Sequence, residues 1–103
     1  MKKTLYTFFA LCIFHSAFCQ MKLGTNTTSM NGGSILELES TNQGLYLPRI
    51  SLSGAITTWN LVGTAPSGSA NGGMMVYNTN ASFSYGVGLY YWDGDSWVFF
   101  LEV

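Results

Sequence analysis

The segment that most limits what this chain can fold into is its last one. Leu89-Tyr90-Tyr91-Trp92, Asp93-Gly94-Asp95-Ser96 and Trp97-Val98-Phe99-Phe100-Leu101 place two aromatic runs on either side of an Asp-Gly turn. Bulky aromatic and β-branched residues suit extended backbone, and Asp-Gly supplies the conformational freedom of a tight reversal, so the segment predicts a β-hairpin. Side chains alternate across a strand, so Tyr90, Tyr91 and Trp92 cannot all point one way. Both faces of the hairpin are therefore apolar, and both need cover.

The rest of the chain reads in the same period. Beyond the first 19 residues no long 3.6-residue stripe with caps occurs, and short apolar or alternating runs are separated by Gly, Asn, Ser and Thr. Ser34 to Glu39 sets Leu36 and Leu38 on one face and Glu37 and Glu39 on the other, the pattern of a half-buried strand. Thr41-Asn42-Gln43-Gly44 supplies a turn, and Leu45-Tyr46-Leu47 starts a second extended run. Pro48 lacks an N–H, which makes that run an edge or ends it near Arg49. Leu52 to Val62 carries Ala55, Ile56 and Trp59 at weakly helical spacing, enough for one short helical turn. Gly63 to Gly73 is too poor in apolar bulk for a core element and reads as a surface loop. Met74-Met75-Val76-Tyr77 reads as a short buried strand, and Asn78 to Gly88 as a connection. The expected fold class is all-β: short antiparallel strands and hairpins, long Gly/Ser/Asn loops, and at most one short helical turn.

Lys2 and Lys3 followed by the apolar run Leu5 to Phe18 form the charged and apolar regions of a secretory signal peptide, with a run too short to span a bilayer. Ala17-Phe18-Cys19 fits a cleavage site, so the domain organisation is a signal peptide at 1–19 and a single small β-rich module at 20–103, beginning at Gln20. Cys19 also admits lipidation as the first residue of a lipoprotein, which the bulky Phe18 disfavours. The expected location is secreted or on the outer cell surface, with no transmembrane span in the mature chain.

Cleavage there removes Cys12, Cys19 and His15, all the cysteine and histidine of the chain. No Ser-His or Cys-His pair, usual zinc set or His base then remains, and no disulfide can form. Charged residues are only 9% of the sequence, and past Lys3 the cations are Lys22 and Arg49 alone, which leaves no footprint for nucleic acid. The chain is read as non-enzymatic, with no catalytic residues, metal or cofactor.

Three constellations merit weighing. Phe83, Tyr85, Tyr90, Tyr91, Trp92, Trp97, Phe99 and Phe100 put eight rings into 18 residues. Exposed, such rings stack on sugars; buried, they build a core, which a small chain without a disulfide needs more. Asp93, Asp95 and Ser96 offer oxygens to Ca²⁺, but no further ligand set closes around them, and turn geometry explains them. Glu37 and Glu39 share a strand face and suit a solvated surface, with Arg49 as a counter-charge, better than a glycosidase pair, whose members straddle a bond about 5 to 9.5 Å apart.

Three blocks in order, Ser34 to Ile50, Gly72 to Thr79 and Leu89 to Trp97, carry an aliphatic-acidic strand, a Ser-Thr-x-x-Gly-Leu turn, Pro-Arg, a Gly-x-x-Val-Tyr-Asn strand and a Tyr-Tyr-x-Asp-Gly-x-x-Trp hairpin. Over roughly residues 24 to 99 the chain resembles an N-terminal β-rich module of secreted Bacteroidota surface and tail-fibre-like proteins. The resemblance implies a non-enzymatic part of an extracellular fibre, stalk or surface protein, and a homo-oligomer, with a trimer as the first expectation. Relatives of that kind continue past the hairpin, so a chain ending at Val103 reads as a minimal or a truncated member. The surface expected to take a partner copy, or alternatively a surface glycan, is Tyr90, Tyr91, Trp92, Trp97 and Phe99.

Overall fold

The computed structural model describes Lys3 and residues 19–100. The apolar run of the expected signal peptide, with Cys12 and His15, and the hairpin's last residue Leu101 lie outside the described residues. The chain divides into two compact units, Met1–Gly44 and Leu45–Val103.

In the first unit, strands β1 (Met21–Gly24) and β2 (Leu36–Glu39) pair in parallel as a two-stranded ribbon. Register places Met21 beside Leu36 and Leu23 beside Leu38 on one face, and Lys22 beside Glu37 on the other. The half-buried strand expected at Ser34 to Glu39 therefore has the right faces, but the leucines are the exposed side and Glu37 the half-buried one. The reason is Lys22. Its ammonium lies 2.8 Å from Glu39 Oε2 and 3.4 Å from Glu37 Oε2 and also donates to the Ser29 carbonyl, so the charged face closes on itself. Lys22, and not Arg49, is the counter-charge. The sequence alone does not mark β1, because its Met21-Lys22-Leu23 alternation is a single period long beside an expected cleavage site.

The second unit is one four-stranded sheet in the order β3 (Arg49–Ile50), β4 (Met74–Asn78), β5 (Gly88–Trp92), β6 (Trp97–Phe99). β4, β5 and β6 are antiparallel, and β3 joins β4 in parallel at the edge. Parallel pairing occurs in both units, where the sequence had suggested antiparallel strands alone. Pro48 sits just before β3 and offers only its carbonyl, which accepts Tyr77 N–H at 2.9 Å, so Leu45 to Leu47 runs beside the sheet without a ladder.

Val76, Asn78, Tyr90, Trp92 and Trp97 face inward with Phe99, and irregular chain covers them. Leu52 is fully buried, and Ile56 accepts the backbone N–H of Trp97 at 2.8 Å. Trp59 stacks on Trp97 with ring centroids 5.5 Å apart and meets Trp92 edge-on at 5.1 Å, and Trp92 and Trp97 lie 5.3 Å apart. Both indole donors of the hairpin are satisfied by this cover: Trp97 Nε1 donates to Thr58 O at 2.9 Å, and Trp92 Nε1 to Pro66 O at 2.7 Å. One layer of the core is thus made by segments without regular structure.

The short helical turn lies at Ser69–Asn71 in the Gly-rich stretch, whereas Leu52 to Val62 contains only a reversal closed by Thr58 N–H to Ala55 O. Trp59 is called inward to its two ring partners, and that contact outranks weak helical spacing. The Gly-rich stretch is ordered by the hairpin tip: Gly68 N–H donates to Gly94 O at 3.0 Å. Gly94 is itself required, since φ is +96° and a Cβ there would stand 2.0 Å from the Gly68 carbonyl oxygen.

Candidate self-association surface

Alternation along the sheet of the second unit defines its outer face. Arg49, Tyr77 and Leu89 align across β3, β4 and β5, and Phe100 extends the row through its N–H to Leu89 O at 3.0 Å. Met75, Tyr91 and Val98 form the neighbouring row. Tyr91 and Phe100 touch with centroids 5.0 Å apart, and the Arg49 guanidinium lies 4.8 Å above the Tyr46 ring. A shallow cavity of about 560 Å³ opens there, lined by Leu45, Tyr46, Leu47, Arg49, Tyr77 and Leu89. Met75, Tyr77, Phe100, Leu45 and Tyr46 are exposed, so the outer face is apolar and only partly covered. Met74 to Tyr77 is not buried on both sides: Val76 alone of the four is buried, Met75 and Tyr77 lie on the open outer face, and Met74, on the inner face at the strand's start, is exposed as well.

The five residues expected to form one surface separate by this alternation. Tyr90, Trp92 and Trp97 are inner-face core, with exposures of 0%, 3% and 2%. Phe99 packs against that core, tilted on Tyr90 with centroids 5.1 Å apart. Tyr91 alone of the five is on the outer face. The rings of Trp92 and Trp97 are covered by Trp59 and by each other, which removes them as a platform for a sugar. Cys19 and Gln20 are exposed, and the Gln20 amide donates to Gly32 O at 3.3 Å.

Lys22, Glu37, Glu39 and Asp93 are occupied locally. Asp93 Oδ1 accepts the backbone N–H groups of Ser96 and Asp95 at 2.8 and 2.9 Å, and these bonds hold its carboxyl below the usual range. The carboxylate shapes the turn. Lys22 is raised above its ordinary value, first by its bond to Glu39. Burial raises the Tyr90 phenol, whose O–H donates to Gly86 O at 2.8 Å.

The residue that sequence reasoning most undervalued is Asn78, placed there at the start of a connection. It is fully buried and makes four hydrogen bonds. Its Oδ1 accepts Leu52 N–H and Asn80 N–H, both at 3.0 Å, and its Nδ2 donates to Asn80 O at 2.9 Å and Gly86 O at 2.8 Å. The signal available was the strand's own alternation, which puts Asn78 on the face of Val76.

A small all-β module, aromatic and closed on its inner face, apolar and open on its outer one, belongs to the class of structural parts completed by association. Residues 24–102 match the family model described as the phage tail like trimerisation region, and the chain belongs to that family. No curated protein and no solved structure matches it significantly. Among the described residues no helix is long and apolar enough to cross a membrane.

Proposed function

We propose that this chain is a secreted, non-enzymatic structural module that joins two further copies of itself to form part of an extracellular fibre or stalk. The observation that carries the reading is the match to a trimerisation family over residues 24–102. The open outer face supports it, since soluble monomers rarely leave a contiguous apolar patch beyond a few hundred Å². Export rests on Lys2, Lys3 and the apolar run before Gln20. The structural role is further supported by where the ionisable groups are used: Lys22 neutralises Glu37 and Glu39, and Asp93 holds a turn.

Expression from the full sequence in an exporting host, followed by intact mass and sedimentation equilibrium, tests both halves. The expected product begins at Gln20 and sediments with the mass of three chains at micromolar concentration. An acylated Cys19 would replace free secretion with a lipid anchor. A compact monomer would overturn the trimeric reading.

A further inference from the structure

The first unit poses a physical problem that one copy does not solve. Over residues 19–44 its regular structure is two parallel strands of four residues each. Parallel sheets occur almost only with both faces covered, and an isolated two-stranded ribbon is marginal in water. One face here is satisfied internally by Lys22 bridging Glu37 and Glu39. The other carries only aliphatic side chains, and all are open: Met21 57%, Leu23 55%, Leu36 53% and Leu38 44% exposed. Four aliphatics in register, with no charge or aromatic ring among them, form a face that is dry only against its own kind.

We infer that this face, Met21, Leu23, Leu36 and Leu38, is the seam along which copies of the chain join, three ribbons turning their aliphatic faces to a common axis and their Lys22–Glu37–Glu39 faces to water. The inference rests on the trimeric reading above and adds to it the residues that make the contact. Charge placement favours this arrangement over its inverse. Each ribbon has two carboxylates to one ammonium, so stacking the charged faces would bring like charges together, whereas outward they are solvated. β2, with Leu36 and Leu38, lies wholly within the residues that match the trimerisation family, whereas Met21 and Leu23 of β1 stand just before them.

The test is the full chain carrying Leu36→Glu and Leu38→Glu. All three tryptophans belong to the second unit, so their emission reports that unit independently of the ribbon. The expected result is a fall from three-chain to one-chain mass at a concentration where the parent is trimeric, with unchanged tryptophan emission. A variant that stays trimeric would overturn the seam and leave the trimer itself standing; a parent that sediments as a monomer would overturn both. In case the double variant aggregates, Leu36→Cys and Glu37→Cys are compared in a background with Cys12→Ser and Cys19→Ser under mild oxidation. Covalent dimers from Leu36→Cys and none from Glu37→Cys support the seam. The reverse pattern, or no cross-linking by Leu36→Cys in a trimeric protein, refutes it.

Discussion

Removing the Asn78 side chain should show how much of the second unit's stability depends on one buried amide. Asn78→Ala leaves the Leu52 and Asn80 N–H groups and the Asn80 and Gly86 carbonyls without its four bonds. Leu52 is fully buried, so its orphaned N–H costs the full desolvation penalty of about 1 to 3 kcal/mol. Asn80 and Gly86 are half-exposed, and Gly86 O keeps the Tyr90 hydroxyl, so those groups contribute at the low end. The sum is about 3 kcal/mol, a large fraction of the ~5 to 15 kcal/mol that holds most domains folded, and about 12 to 24 °C in Tm for a domain of this size. Asn78→Asp separates hydrogen bonding from shape. A carboxylate keeps the two acceptor bonds but turns an oxygen toward the Asn80 and Gly86 carbonyls, so the folded state favours the neutral acid and its pKa rises. A raised folded-state pKa gives stability that is full below the unfolded value of about 3.9 and lost as pH climbs through the folded one. Asn78→Asp should therefore be worse than Asn78→Ala at pH 7 and better than it at pH 3.5. Urea titration followed by tryptophan emission, at one fixed protein concentration and against the parent at each pH, measures both. A cost under 1 kcal/mol for Asn78→Ala, or an Asp variant whose penalty does not change with pH, would refute the reasoning.

Trp97→Ala removes a stacked, hydrogen-bonded indole and should cost about 3 to 5 kcal/mol in the same titration. Trp97→Phe should cost about 1 kcal/mol more than Trp59→Phe, because the Trp97 N–H is bonded while that of Trp59 is buried with no acceptor among the described residues. Gly63→Ala, at φ +84° in open space, should cost about 1 to 2 kcal/mol, and Gly94→Ala, blocked by the Gly68 carbonyl, clearly more; equal melting shifts would remove the interlock between hairpin tip and loop. Asp93, lowered by its backbone bonds, contributes stability that is present above its unfolded value and lost as pH falls through the folded one. Asp93→Asn keeps an acceptor oxygen, so its melting temperature should fall less than the parent's between pH 5 and pH 2.

The hairpin was legible because its signals are local. The aromatic runs marked β5 and β6, Asp93 and Gly94 marked the turn, and the all-β class followed from short runs broken by turn residues. Pro48 predicts that the run from Leu45 is an edge or ends near Arg49, but the edge strand β3 begins at Arg49, after the proline. What escaped depends on partners distant in sequence. Trp59 leaves no helical or strand pattern, yet it meets Trp92 and Trp97, more than thirty residues away. Asn78 reads as loop chemistry until Leu52 is placed beside it, 26 residues earlier. The parallel pairing of β1 with β2 joins two short runs that carry no hairpin turn between them.

The same distinction explains why the aromatic hairpin did not itself yield the association surface. Sequence alternation shows that both faces are apolar but not which one the chain's own irregular segments will cover. Bulk decides it here. Trp92 and Trp97 face the side where Trp59, Leu52 and Pro66 supply a ring to stack on, an aliphatic filler and a carbonyl for an indole N–H. Tyr77 and Tyr91 face the side with no such cover among the described residues, and their hydroxyls tolerate water where indoles of that size would leave more apolar surface bare. The inner face is thus completed within one copy. The open residues are then aliphatic on the ribbon and tyrosine-rich on the sheet, and the two surfaces make different demands. An aliphatic face with no polar group gains nothing from water, whereas the sheet's face, edged by Arg49, Tyr46 and Tyr77, has polar groups that water can serve and so makes the weaker of two demands for burial. Between the two, the ribbon is the surface whose exposure the chain can least sustain alone, and its leucines are where a change to charge should be felt first in assembly and last in the tryptophan core.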